Sequence, residues 1–262
     1  MEQDIYQLFS QECIVRLQTE VGKRIEVGTG FFVAPRLILT CQHVVKDART
    51  GECAKQIQVR WKKKEFIAII YQFQDERAAL SDNHDLALLR LLDSELKHPC
   101  VYLGTQFNPG DKLYAFGYPK KLRGQQYEGE SLLATCQGLA DEDGYLFTFI
   151  AEGTRAGFSG APLLNQRTGM VCGLIKSERS SLIEEIGERR KLRVVWGGVA
   201  IPITLVLSVW SSLEELQQQF HQQNTHWVQL LTHSNQSLLP SLTTTNLHQD
   251  WGDAPDVSVF FG

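Results

Sequence analysis

Three residues of this 262-residue chain could do chemistry together: Ser159 in Gly157-Phe158-Ser159-Gly160-Ala161-Pro162, His43 in Leu39-Thr40-Cys41-Gln42-His43-Val44-Val45, and Asp85 at the head of Asp85-Leu86-Ala87-Leu88-Leu89. A hydroxyl, an imidazole and a carboxylate, each beside a strand-like apolar run, are the parts of nucleophilic attack on an acyl carbon. A neutral hydroxyl attacks a peptide carbonyl poorly, so Ser159 needs a base. The His43 imidazole can take the proton as the bond forms and can return it to the leaving amine. Asp85 would hold the ring in the right tautomer and stabilise the imidazolium. The tetrahedral oxyanion needs two fixed donors, for which the backbone N–H groups of Gly157 and Ser159 are the expected pair. Gly157 lets the loop turn sharply and bring bare backbone against the substrate.

Each motif alone has a bland reading, since Gly-x-Ser-Gly is a common turn and a lone His or Asp is usually structural. Their joint order, His, Asp, Ser, is what carries weight. An α/β-hydrolase needs Gly-x-Ser-x-Gly and the order Ser, acid, His; here position 161 is Ala and the order differs. His84 adjoins Asp85, but strand neighbours point to opposite faces, so it is expected to turn away. Cys41 lies two residues from His43 and shares its face of an extended stretch. With Ser159 in so good a context, Cys41 reads as a packed thiol, and no metal site is expected.

These residues need a scaffold of strands. Runs at 12–17, 24–27, 30–33, 37–40, 57–61, 66–73 and 86–91 are β-branched or apolar between turn or charged residues, enough for one small barrel. A second set begins near Val101 and takes in 112–116, 131–136, 145–150, 163–164, 170–175 and 194–203, with turn signals at Gly110-Asp111, Asp143-Gly144 and Thr168-Gly169. His43 and Asp85 would come from the first barrel and Ser159 from the second, leaving a groove at the seam, where binding sites are favoured. A short helix is expected within residues 1–9. Residues 176–193 read as a charged, solvated loop between two strands, the rival reading being a lid or an exposed self-cleavage site beside the groove.

The hydrophobic fraction of 43% supports a sizeable core, while a net charge of −4 and pI near 6.0 give no electrostatic pull toward nucleic acid or anionic lipid. Neither is expected as a partner. Six cysteines without a C-x-x-C pair, and an N-terminus without a basic-plus-apolar signal segment, point to free thiols in a reducing, cytoplasmic setting. The longest apolar candidate for a membrane span, 194–210, is broken by Gly197, Gly198 and Pro202.

Beyond Ile203 the composition changes. Ser212-Leu213-Glu214-Glu215 reads as a capping box opening a Gln-rich helix to about Gln223, followed by a polar linker with an apolar patch at Trp227 to Leu231 and room for one more short helix. The expected organisation is a peptidase-type domain over 1–205 (barrels at about 10–95 and 100–205), a helix and linker over 206–250, and the start of a further domain at 251–262.

From roughly Cys13 to Ile203 the sequence resembles the chymotrypsin-like serine proteases, closest to the disulfide-free, HtrA-type bacterial branch. The matching segments are Gly28-Thr29-Gly30-Phe31-Phe32-Val33, the three motifs above, Gly117-Tyr118-Pro119 and Gly198-Val199-Ala200-Ile201-Pro202. The resemblance implies an all-β, chymotrypsin-like double six-stranded barrel, followed here by the C-terminal helix and polar linker, with endopeptidase activity on protein or peptide substrates. It also implies a primary specificity pocket with its floor near Gly153 and Thr154 and one wall at Lys176-Ser177-Glu178. Trypsin has an acid at the position matching Gly153, so that residue does not support a basic preference; Glu152 or Glu178 could still reach the pocket. Secreted relatives carry Asp just before the catalytic Ser, to capture a new N-terminus. Phe158 stands there, which excludes that mode of activation.

Residues 250–262, Asp-Trp-Gly-Asp-Ala-Pro-Asp-Val-Ser-Val-Phe-Phe-Gly, are similar to the entry of the NB-ARC-type module of bacterial STAND NTPases. That resemblance implies a protease effector joined to downstream NTPase and sensor domains, an oligomerising switch used in bacterial immunity, with ATP and magnesium expected only for the downstream part. The competing expectation is an inactive protease fold kept as a protein-interaction module.

Overall fold

The computed structural model describes residues 4–21, 24–47, 49–73, 80–81, 84–120, 129–140, 144–154, 156–184 and 191–237. Residues 250–262, and with them the expected start of a further domain, lie outside the described residues, as do Asp143 and positions 185–190.

After a helical entry, α1 (Ile5–Gln7) running into a wider turn over Leu8–Cys13, the chain forms β1 (Ile14–Val21), β2 (Arg24–Ala34), β3 (Leu37–Cys41), β4 (Ile57–Trp61), β5 (Lys64–Ile70), β6 (Leu80–Ser81) and β7 (Leu86–Leu91). These pair antiparallel in the order β3-β2-β1-β4-β5-β7 and close by β3 on β7, with β6 beside β7. The second lobe, β8 (Lys112–Gly117), β9 (Glu130–Leu139), β10 (Phe147–Ile150), β11 (Pro162–Asn165), β12 (Met170–Glu184) and β13 (Lys191–Pro202), closes in the order β10-β13-β12-β11-β8-β9. The fold is thus the expected pair of six-stranded antiparallel barrels. Alternation drives it: Ile57, Val59 and Trp61 point inward on β4 with Gln58 outward, and Leu132, Ala134 and Cys136 point inward on β9. Closure removes the unpaired edges that an open sheet would expose.

Two stretches differ from the sequence expectation. Residues 24–34 form one strand although the apolar pattern lapses at Gly28-Thr29, because Thr29 is buried through hydrogen bonds described below. Residues 176–184 and 191–193 are strand rather than loop: β12 runs on to Glu184 and pairs with β13 back to Lys191.

Three helices follow, α2 (Ile203–Val209), α3 (Ser212–Gln223) and α4 (His226–Ser237). Ser211, one residue before the expected capping serine, takes the cap position in a helical conformation with no side-chain cap hydrogen bond, and the N–H groups of Leu213 and Glu214 donate to the carbonyls of Trp210 and Ser211, a tight turn that opens α3. Trp210, Leu213 and Trp227 are buried in the same core as the first barrel, each large side chain worth roughly 2–3 kcal/mol on burial. Trp227 Nε1 donates to Gly169 O at 3.0 Å. Gln217 bridges the lobes from behind: its Nε2 donates to Val33 O and Val101 O, and its Oε1 accepts from Leu103 N. All six cysteines are free. Among the described residues no helix is long and apolar enough to cross a membrane.

Candidate active site

His43 lies in the single turn Gln42–Val44 that ends β3, and Asp85 immediately precedes β7, the strand paired with β3. That pairing sets the two side chains together. His43 Nδ1 lies 2.8 Å from Asp85 Oδ2 and 3.1 Å from Oδ1, and His43 N donates to Oδ1 at 2.9 Å. Asp85 holds φ +60, a region costing a non-glycine residue of order 1–3 kcal/mol, and Gln42 N fixes it by donating to Asp85 O at 3.0 Å. The imidazole side chain is 42% exposed and the carboxylate 15%, so the ring meets solvent while its partner stays sheltered. His84 does turn away: its ring lies 5.3 Å from that of Tyr145, on the other barrel.

Ser159 sits in the loop before β11, pinned by the first barrel. Thr29, from the middle of β2, donates its N–H to Ser159 O (2.9 Å) and its hydroxyl to Gly157 O (2.8 Å), while that hydroxyl accepts from Tyr118 N (2.9 Å). Gly160, at φ +83, packs so closely on β2 that a Cβ would stand 2.1 Å from Thr29 O. Thr29 is therefore a positioning residue whose role the sequence did not reveal. Its signals were a polar residue between two glycines, in the gap between the runs at 24–27 and 30–33, and a place in the segment that carries the family resemblance.

The orientation of the loop's peptides follows from what holds their carbonyls. Ala156 O accepts from Lys120 N at 2.7 Å, and because C=O and N–H oppose each other across a trans peptide, Gly157 N–H points the other way. Phe158 O accepts from Ala161 N, which likewise turns Ser159 N–H out of the loop. Among the hydrogen bonds between described residues neither N–H has an acceptor. Gly157, at φ +100, leaves no room for a Cβ, which would lie 2.5 Å from Lys120 N and from Tyr118 O. Phe158 is buried in the core of the second barrel, an apolar anchor where secreted relatives have the activating acid.

His43, Asp85 and Ser159 line one cavity of about 300 Å3 together with Thr154, Ala156, Ile175, Lys176, Ser177 and Glu178. Four of the five expected pocket residues are there; Gly153 is exposed and is not part of the lining. Thr154 is 2% exposed and its hydroxyl has no partner among the described residues. Ser159 Oγ donates to Lys176 O at 3.4 Å, and no hydrogen bond joins it to the imidazole. Such contacts are often long without substrate and tighten in the complex.

Cys41, His43 and Asp85 place one potential metal-ligating atom each within 4.8 Å of one another. The donor set suits a metal poorly. Burial, with the Asp85 charge next, pushes the Cys41 thiol well above its usual pKa, its Sγ donates to Ile175 O at 3.3 Å, and both Asp85 oxygens already face His43.

Two antiparallel six-stranded barrels with this cleft at their seam define the chymotrypsin-like class. Among solved structures the chain is similar to the active form of the Rv3671c protease from M. tuberculosis (TM-score 0.58, 18% identity, 80% of this chain and 84% of that one). It is also similar to the serine endoprotease from Yersinia pestis (TM-score 0.57, 20% identity, 81% and 67%). At such identities the likeness establishes the fold. No curated protein sequence matches it significantly. The family model of the trypsin-like peptidase domain matches residues 28–174, more than half of the chain, and the protein belongs to that family, the serine endopeptidases.

Proposed function

We propose that the chain cleaves protein substrates through an acyl-enzyme on Ser159. The observation that carries this reading is the make-up of one cavity: an imidazole held by both oxygens of a sheltered carboxylate shares its lining with a serine whose loop leaves two backbone N–H groups without acceptors among the described residues. His43 takes the Ser159 proton as Oγ attacks the scissile carbonyl, Asp85 stabilises the imidazolium, and the N–H groups of Gly157 and Ser159 receive the oxyanion. The protonated ring then donates to the leaving amine, and water repeats the sequence to free the acyl group. Thr154, Lys176, Ser177 and Glu178 hold the side chain preceding the scissile bond, with the half-buried Glu178 as the acid among them.

The test is a pair of measurements on the wild type and on Ser159→Ala: hydrolysis of unstructured protein, and labelling by a fluorophosphonate. Both must vanish in the variant; hydrolysis that survives it sinks the assignment. The rival reading, a silent fold used as an interaction module, has one observation in its favour, the bond from Ser159 Oγ to Lys176 O. A change of one χ1 rotamer redirects that hydroxyl at small cost.

The wider setting we infer is intracellular, with the peptidase acting as effector of a STAND-type NTPase whose ATP and magnesium sites belong to downstream domains, and with oligomerisation of the full-length protein. Support comes from the 250–262 motif and from six free thiols. The decisive comparison is proteolysis by a chain extended through that motif, with and without ATP.

A further inference from the structure

Behind the seam, and sharing no residue with the cleft of Ser159, a second cavity of about 340 Å3 opens between three parts of the molecule. One wall is residues 102–106 of the segment that joins the barrels, another is the start of β12 with the turn before it, and the third is α2 with the first turns of α3. Its volume falls at the lower end of the range, about 300–1,000 Å3, that takes small molecules.

The walls are fixed by their own bonds. Val171 N donates to Tyr102 O at 2.8 Å and Gly104 N donates to Val171 O at 2.9 Å, which stitches the joining segment to β12. Gly104 lies so close to Met170 that a Cβ would stand 2.7 Å from the Met170 Cβ. Gln217, only 6% exposed, belongs to the same lining, and its amide is fully committed to Val33, Val101 and Leu103. A ligand has little left to order here, and such preorganisation favours binding.

The lining has an apolar part and an acceptor-rich part. Leu103, Met170 and Leu207 supply the first. In the second, Thr105 and Gln218 are exposed, and their side chains make no hydrogen bond to another described residue. Thr168 Oγ1 accepts from Met170 N at 3.3 Å and keeps a second lone pair. Glu214 is the only charged residue of that lining among the described residues; it is exposed, and no described residue gives its carboxylate a hydrogen bond or an ion pair. Two sources of counter-charge from within the chain are closed. Arg167, beside Thr168 in sequence, donates Nε and Nη2 to the two Asp111 oxygens at 2.9 Å each, and residues 194–262 contain no Lys or Arg.

We propose that this cavity binds a small organic cation, an ammonium or guanidinium carried on an aliphatic stem. The charged head meets the Glu214 carboxylate and the neutral oxygens of Thr105, Thr168 and Gln218, and the stem lies on Leu103, Met170 and Leu207. A metal ion fits less well, since it wants several more oxygen ligands than one glutamate offers and gains nothing from the apolar wall. Because α3, the joining segment and β12 all contribute, an occupant ties the helices α2 to α4 to the barrels without entering the cleft. It is an effector site that acts on the helical extension, not a subsite for the substrate.

The experiment uses the 262-residue chain and the n-alkylamines from ethylamine to hexylamine, with butylguanidine and butan-1-ol beside them, followed by calorimetry and amide hydrogen exchange. Each added methylene should tighten binding about four-fold until the stem fills the apolar part. Butan-1-ol, which has the stem without the charge, should bind about ten-fold more weakly than butylamine or worse. At about ten times its Kd an amine should raise the melting temperature by about 3–6 °C and slow exchange across residues 212–223. Glu214→Gln, at an exposed position, should weaken the amines and butylguanidine about ten-fold or more and leave butan-1-ol as it was. Equal binding of butylamine and butan-1-ol overturns the proposal, as does full amine affinity in Glu214→Gln or the absence of saturable binding. So does an affinity lost in Glu178→Gln and kept in Glu214→Gln, which would put the cation in the catalytic cavity. A lysine side chain bound only within a longer peptide, with the free amines inert, also overturns it and makes the cavity a contact for a protein partner.

Discussion

The front and back of the seam between the two barrels use the same residue types to opposite ends. At the front, His43 is 42% exposed, Ser159 Oγ has one long contact, and two backbone N–H groups lack acceptors. At the back, His98 is 8% exposed and both its ring nitrogens are engaged: Nε2 accepts from Arg36 N at 2.9 Å and Nδ1 donates to Pro99 O at 3.0 Å, with the ring stacked 3.6 Å from Phe32. Nearby, the Gln217 amide satisfies three backbone groups at once. Reactivity lies where polar groups are positioned but incompletely satisfied, and stability where the same kinds of group are fully matched and dry.

The largest break in that contrast is expected from Asp85→Asn. The amide can still accept from His43 N, but it favours the wrong imidazole tautomer and leaves the imidazolium without its counter-charge. A fall in kcat of about ten-thousand-fold is expected with little change in melting temperature. A loss below ten-fold would mean that His43 works without Asp85. Next comes Gly157→Ala, which adds a Cβ against Lys120 N and Tyr118 O and must twist a peptide at φ +100. Displacing one oxyanion donor should cost about 100-fold to 1,000-fold in kcat, with KM for the same peptide nearly constant. An equal fall in fluorophosphonate labelling and in hydrolysis would tie the loss to that donor.

The front was the more legible half. Chemistry restricts which side chains can serve, so His43, Asp85, Ser159 and the glycines around the serine carried recognisable spacing. The strands that frame them followed from alternation, and those at 57–61 and 86–91 end where the pattern ends. What stayed hidden depends on long-range partners. Thr29 gains its role only when Ser159 and Gly157, some 130 residues later, fold onto β2, and nothing within a strand announces that. The charged stretch after Ile175 reads as loop because its pairing is to itself across a hairpin, where polar residues on both faces erase the alternation. Gln217, inside the expected Gln-rich helix, and His98, between the two expected barrels, drew no notice for the same reason.

The back of the seam offers a pH test. Burial holds the His98 imidazole neutral, pushing its pKa down to about 4, whereas in the unfolded chain it sits near 6.5. With the folded value lowered, the unfolded state binds the proton first, so stability is complete above pH 6.5 and is lost as pH falls from 6.5 toward 4. The full loss from this one group is roughly 3 kcal/mol. His221, also lowered by burial, adds in the same direction. Urea midpoints taken across that range should decline, and the His98 ring resonances should stay those of a neutral imidazole down to about pH 4. Titration of that ring near 6.5 would show that the back is wetter than its packing implies.

Gln217→Leu gives the smallest effect and the sharpest separation of the two faces. Leucine fills similar space but leaves Val33 O and Leu103 N without the partners that Gln217 supplied, while Val101 O keeps its bond to His221 Nε2, in a region where Val33 and Val101 are fully buried. Orphaned buried groups cost about 1–3 kcal/mol each. The lost bonds to one side chain are partly recovered by local shifts and water, so a net destabilisation near 2 kcal/mol is expected, a drop in melting temperature of about 5 °C. None of the three groups touches the cavity that holds Ser159, so kcat on a short peptide at 25 °C should stay within about two-fold of wild type. If kcat instead falls ten-fold while the protein remains folded, the clamp behind the seam sets the alignment of the lobes in front of it. The division between a structural back and a chemical front would then give way to a single mechanical unit, with α3 as the handle through which anything attached downstream could act on the cleft.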